Sequence, residues 1–225
     1  MKQILAMMVV LVGCSKDTPE TSQAAEAKAQ VASKPSPEPV SPADENLIAD
    51  PVVEAAIRES LDINGNNPTG ELTKADLGKV AFLGLAFKKL TEVPKGLEKL
   101  TQLTVLHLHN NQLTDVKGLG NLTQLKELSL IGNQLTDVKG LEKLTQLESL
   151  LLQFNQLTDV KGLEKLNKLI ILSLGGNQLT DVKGLEKLTQ LKELILLKNP
   201  DLTKAQIDEL QKALPNCKIY SNPTK

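Results

Sequence analysis

The sequence predicts a stacked solenoid whose short strands lie side by side in one parallel sheet. Three observations predict it. Leu100, Leu122, Leu144, Leu166 and Leu188 recur every 22 residues without an insertion, and self-similarity at such a period marks a repeat architecture. Inside each copy runs the pattern L-x-x-L-x-x-L-x-L-x-x-N-x-L-x-x-V-x-x-L, and its centre, as in Leu128-Ser129-Leu130, alternates with the period of two of a short strand. Asn111, Asn133, Asn155, Asn177 and Asn199 fall where the chain turns out of that strand. An amide carries donors and an acceptor, so it can satisfy turn backbone groups that would otherwise be buried unpaired.

A strand this short cannot bury its own apolar face. Stacked copies merge their leucines into one continuous core. Asp115, Asp137, Asp159 and Asp181 precede the return segment, where an aspartate can cap one helical or 3₁₀ turn. The whole pattern is identified as the leucine-rich repeat, and the wording LTDVKGLEKLTQL resembles the short-repeat bacterial subclass seen in internalins. The resemblance covers about Asp50 to Tyr220. It implies an α/β leucine-rich-repeat solenoid, curved, with the parallel sheet on its concave side. It also implies a binding module rather than a catalyst.

Composition bounds the remaining choices. The chain has 225 residues, 27 acidic against 26 basic, with 2% aromatic residues, which fits one elongated domain plus accessory segments. A near-neutral balance without a basic stripe argues against nucleic acid as a partner. Two cysteines are too few for a disulfide framework.

Residues 1–14 read as an export signal. Met1-Lys2 is followed by an unbroken apolar run from Ile4 to Val12, far short of the roughly 20 residues that span a bilayer but suited to a signal-peptide core. The run ends in Leu11-Val12-Gly13-Cys14, which resembles the bacterial lipoprotein cleavage box and implies that Cys14 is acylated as the new first residue. An ordinary secretory signal with an incidental cysteine is the alternative. Ser15 after the cysteine lacks the aspartate retention signal of inner-membrane lipoproteins, so the resemblance implies an exported protein, lipid-anchored at the outer membrane where the cell has one. Residues 15–45, rich in Ala, Ser, Glu and Pro, bury too little to offset the entropy of folding and read as a disordered tether. A coil of that length reaches on the order of 30 Å.

Residues 46–76 read as a helical N-terminal cap. Asp50-Pro51 opens a helix, Val53, Ile57 and Leu61 mark its apolar face, and Asn64-Gly65 ends it. Thr73 can cap a second short helical turn. Residues 77–199 hold about six repeats, the first lengthened by Pro94 and carrying Lys88 in the asparagine column. Residues 200–225 form the C-terminal cap: Thr203 opens a helix bearing Ile207, Leu210 and Leu214, Pro215-Asn216 ends it, and Cys217 to Tyr220 alternates like a last edge strand. Cys217 reads as a buried structural thiol.

The concave columns vary while the rest of each repeat is nearly copied. Phe82, Val105, Ile131, Leu151, Phe154, Ile171, Ile195 and Leu197 make this face unusually apolar, and a contiguous apolar patch of more than a few hundred Å² usually marks a partner surface. His107 and His109, at i and i+2 on one strand face, add polar contacts to it. Two histidines could ligate a metal, but zinc needs three or four ligands, no cysteine is near, and Glu127 is the one acidic neighbour. The sequence therefore offers no metal site, no cofactor site and no catalytic constellation. The expectation is a lipid-anchored protein-binding module that takes a protein partner through Phe82, Val105, His107, His109, Ile131, Leu151, Phe154, Ile171, Ile195 and Leu197. A homodimer through the same concave face is a further arrangement it allows. The alternative is a structural spacer of the envelope, indifferent to that face.

Overall fold

A computed structural model describes residues 47–66 and 68–222. The signal segment with Cys14 and the tether lie outside the described residues.

Asp50 opens the first helix, α1 (Pro51–Ile63), by accepting hydrogen bonds from the Val52 and Val53 N–H groups at 2.8 and 3.2 Å. Pro51 at the first helical position lacks the N–H that would be orphaned there. Val53, Ile57 and Leu61 are fully buried, and the helix ends at Asn64 before Gly65, whose φ of +70° suits a residue without Cβ. A reciprocal capping box between Thr73 and Asp76 starts the four-residue α2 (Lys74–Leu77). Those Thr73 hydrogen bonds hold the Asp76 carboxyl below its ordinary range.

Seven three-residue strands follow: β1 (Phe82–Gly84), β2 (Val105–His107), β3 (Glu127–Ser129), β4 (Ser149–Leu151), β5 (Ile171–Ser173), β6 (Glu193–Ile195) and β7 (Lys218–Tyr220). They form one parallel sheet in chain order. Register places Leu83, Leu106, Leu128, Leu150, Leu172, Leu194 and Ile219 in one row on the core side. All six leucines of that row are fully buried. The expected α/β leucine-rich-repeat solenoid is the fold observed.

One ladder of side-chain hydrogen bonds ties each repeat to the next, and a second braces the turn within each repeat. The asparagine side chain accepts from the backbone of the preceding repeat and donates to carbonyls of both. Asn155 accepts from Leu135 N at 3.0 Å and donates to Leu130 O and Leu152 O at 3.0 and 3.1 Å. Asn133, Asn177 and Asn199 repeat this arrangement. Asn111 closes the series by accepting from Lys88 N and Leu90 N of the first repeat. The second ladder was not legible. Gly96, Gly140, Gly162 and Gly184, all with φ near +100°, donate their N–H to the carboxylate two residues on, that of Glu98, Glu142, Glu164 and Glu186. In the one repeat where Gly120 replaces the glutamate, Gly118 instead lies within a 3₁₀ turn, Lys117–Leu119.

The aspartate column behaves differently from the expectation of helix caps. Asp115, Asp137, Asp159 and Asp181 each accept from the N–H two residues on, at 2.9–3.2 Å. The 3₁₀ turns at Lys117–Leu119 and Leu185–Lys187 have Val116 and Gly184 at their caps, without a side-chain cap bond. The short aspartate side chain bonds locally before the turn begins.

At the far end, Thr203 and Gln206 form a capping box for α3 (Lys204–Ala213), which buries Ile207 and Leu210. Cys217 is a buried free thiol, and burial pushes its pKa up. At the near end, Ser60 of α1 donates to Phe82 O at 2.6 Å, so the helix covers the β1 edge with a polar contact as well as its apolar stripe.

Candidate functional site

Because strand side chains alternate, the residues flanking each buried leucine stand on the opposite, solvent face of the sheet. Register aligns them in columns. One column runs Phe82, Val105, Glu127, Ser149, Ile171, Glu193, Lys218; the next runs Gly84, His107, Ser129, Leu151, Ser173, Ile195, Tyr220. The residues just beyond the strands, His109, Ile131, Gln153 and Leu197 with Phe87 and Phe154 beside them, continue the surface.

All ten expected site residues lie on this face, with uneven exposure. Phe82, Phe154, Ile171 and Leu197 are exposed, at 39%, 56%, 37% and 41%. Val105, His107, His109, Ile131, Leu151 and Ile195 are half-buried. Neighbouring strands only about 4.8 Å apart shield one another's side chains, which a sequence column does not reveal. Ser129 and Ser173, in the same column as Leu151 and Ile195, are fully covered. The Ser173 hydroxyl and the Gln153 Oε1 atom are buried without a hydrogen-bond partner.

The ten expected residues leave out two members of the face: Phe87, which the sequence places in the same column as Phe154, and Tyr220. Phe87 is the most exposed phenylalanine, at 69%, and it contacts His109 edge-on with ring centroids 5.5 Å apart. Tyr220 stands in register with Ile195. The signal for it was present in the alternation of the last strand. With these two included, all three phenylalanines and the one tyrosine of the chain lie on this single face, as do both histidines.

The turn out of each strand adds a backbone observation. Phe87, Asn110, Gly132, Phe154, Gly176 and Lys198 occupy one column, and all six have φ between 56° and 67°. Glycine and asparagine tolerate this left-handed conformation, whereas other residues incur roughly 1–2 kcal/mol. Two of the three phenylalanines therefore sit where the backbone disfavours them. The Phe154 ring lies on Gly176, where an added Cβ would approach Cδ1 to 2.7 Å, and Lys198 Nζ is 5.7 Å from its centroid.

Electrostatics on the face are sparse. His107 Nε2 is 3.2 Å from Glu127 Oε1. Desolvation, then the neighbouring His107, lowers the pKa of His109 below its ordinary 6.5. Among the described residues, no group of three or more His, Cys, Asp or Glu side chains gathers to hold a metal ion, and no helix is long and apolar enough to cross a membrane.

Comparison with known proteins agrees with this architecture. A family model for paired leucine-rich repeats matches residues 101–143, 123–165 and 145–181 in overlapping placements. No curated protein matches the sequence. The structure is similar to a Listeria monocytogenes internalin F, at 24% identity over 80% of this chain with a TM-score of 0.59, and the chain spans only 58% of that protein. It is similar to L. monocytogenes internalin C2 at 29% identity and a TM-score of 0.59, covering 80% of this chain and 88% of that one. A leucine-rich-repeat protein of Leptospira interrogans aligns at 26% identity with a TM-score of 0.55, over 67% of this chain and 45% of the other. The chain thus carries leucine-rich repeats in a leucine-rich-repeat fold similar to that of internalins. Domains of this class typically serve as protein-interaction modules and are generally non-enzymatic.

Proposed function

We propose that this chain is a non-catalytic protein-binding module, exported and lipid-anchored to the bacterial envelope through Cys14, that takes a protein partner on the solvent face of its sheet. One observation carries the binding reading: a chain with only 2% aromatic residues places every aromatic ring on that face. Aromatic anchors dominate interface energetics. The exposed apolar neighbours Ile171 and Leu197 extend the patch. The anchoring reading rests on the Leu11-Val12-Gly13-Cys14 sequence after its apolar run.

The test is affinity capture from the native envelope with the full chain against the Leu151→Asp, Ile171→Asp double variant, both first shown to be folded by circular dichroism. A protein recovered only by the unmodified chain supports the reading. Identical recoveries by two folded proteins move the function off this face and favour the spacer.

A further inference from the structure

At the β1–β3 end of the face, four rings form a continuous string. Phe82 meets His107 at 5.2 Å and 89°, His107 meets His109 at 5.7 Å and 58°, and His109 meets Phe87 at 5.5 Å and 86°. Edge-on contacts at these separations are the favoured geometry for neighbouring rings. Each end of the string is a phenylalanine, and the two groups in the middle are the only imidazoles in the protein.

The two imidazoles have unequal surroundings. On the β3 side, Glu127 lies within hydrogen-bond reach of His107, an anion beside one ring only. His109 faces Phe87 on the β1 side, while Ile131 follows β3. The remaining charges close in sequence are Lys88 and Lys89, exposed in the turn beyond Phe87, and Lys126, which is paired with Glu148 at 3.4 Å. Among the described residues, no hydrogen bond or ion pair brings an anion to His109.

We propose that this string is a proton-operated part of the face: protonation of His109 beside His107 releases its ring from Phe87 and dismantles the aromatic end of the surface. In the neutral state His109 completes the contact with Phe87. In mild acid, charge on both neighbouring rings creates like-charge repulsion at 5.7 Å in a partly desolvated setting. Phe87 offers a competing cation–π attraction, which would raise the affinity of His109 for a proton. Release follows where desolvation and the charge of His107, which both lower the His109 pKa, exceed that attraction.

A histidine whose folded pKa is depressed binds fewer protons when folded than when unfolded. Its contribution to stability is full above the ordinary value of 6.5 and is lost as the pH falls from there through the depressed folded value. Ring release is the local form of that loss. Any consequence for partner capture rests on the binding reading above; the ring movement itself does not.

The experiment is an imidazole NMR titration of the full chain in detergent micelles from pH 8 to pH 4.5. With only two histidines, a His107→Gln variant assigns both signals. The expected result is a His109 midpoint below 6.5, raised by His107→Gln, together with loss of the His109–Phe87 nuclear Overhauser contact on the acid side. A midpoint at or above 6.5, or a His109–Phe87 contact that survives below the midpoint, overturns the proposal. Capture across the range from pH 7.5 to pH 5 supplies the second arm. Release in acid by the unmodified chain, with a midpoint that coincides with the His109 midpoint of the titration, supports the link to binding. Equal capture by the unmodified chain throughout that range, or a release midpoint elsewhere, overturns that link. Absence of capture at every pH defeats the binding reading alone, while the titration still decides the ring movement.

Discussion

At the scale of single residues, chemically similar positions carry very different weight. Asn155 is nearly fully buried and its side chain meets three backbone groups from two repeats. An alanine there strands the buried Leu135 N–H, worth about 1–3 kcal/mol when unsatisfied, while Leu130 O and Leu152 O keep Asn133 Nδ2 and Asn177 Nδ2 as donors. We expect Asn155→Ala to lower unfolding free energy by about 1–3 kcal/mol in a urea titration. Lys88 occupies the same column of the first repeat but is exposed, so Lys88→Ala should change stability by less than about 0.5 kcal/mol. Phe154 offers the opposite contrast, between stability and binding. Its φ of 58° suits glycine, and relief of that strain offsets the loss of a mostly exposed ring. Phe154→Gly should leave unfolding free energy within about 1 kcal/mol of the parent while weakening partner capture. A large fall in stability with unchanged capture would show the ring to be scaffold.

At the scale of the element, the return segments show that a repeat consensus is not always an optimum. Four of them use a glutamate to hold a left-handed glycine, and one uses Gly120 with a 3₁₀ turn. Restoring the consensus with Gly120→Glu places a Cβ 3.0 Å from Gly140 O, backbone of the following repeat that cannot easily yield. The substitution should destabilise by about 1–3 kcal/mol, as overpacking does, measured by thermal unfolding. A gain in stability would mean that the segment switches to the conformation of its neighbours. The same alternation explains why Tyr220 belongs to the face: β7 extends the sheet in register although its leader is a helix rather than a repeat.

At the scale of the whole molecule, stacking distributes stability among nearest-neighbour contacts. The ends are where that arrangement needs help. α1 closes one end with Val53, Ile57 and Leu61, and α3 closes the other with Ile207 and Leu210. The proposed anchor acts at this scale as well. Cys14→Ala in the producing cell should abolish metabolic labelling with palmitate and move the chain from the membrane fraction to the soluble one. Retention in the membrane fraction without label would refute anchoring through this cysteine.

The repeat register, the leucine core, the asparagine ladder and both capping helices were legible in the sequence, because each follows from local periodicity or short-range capping chemistry. Leu128-Ser129-Leu130 announces its strand, and Asp50-Pro51 announces its helix. The membership of the solvent face was legible for the same reason, since alternation alone assigns Leu151 or Ile195 to it. Degree of exposure was decided only by tertiary structure. Ser173 vanishes between Leu151 and Ile195, and Phe87, His109, His107 and Phe82 meet as one string, because both outcomes depend on rotamers reaching across strands that are 22 or 23 residues apart in the chain. The glycine–glutamate ladder escaped for a related reason: the glutamate turns back on a glycine two residues earlier only once the stack has set that glycine's φ near +100°. Periodicity determines which face a side chain occupies; packing between repeats determines what it can touch there.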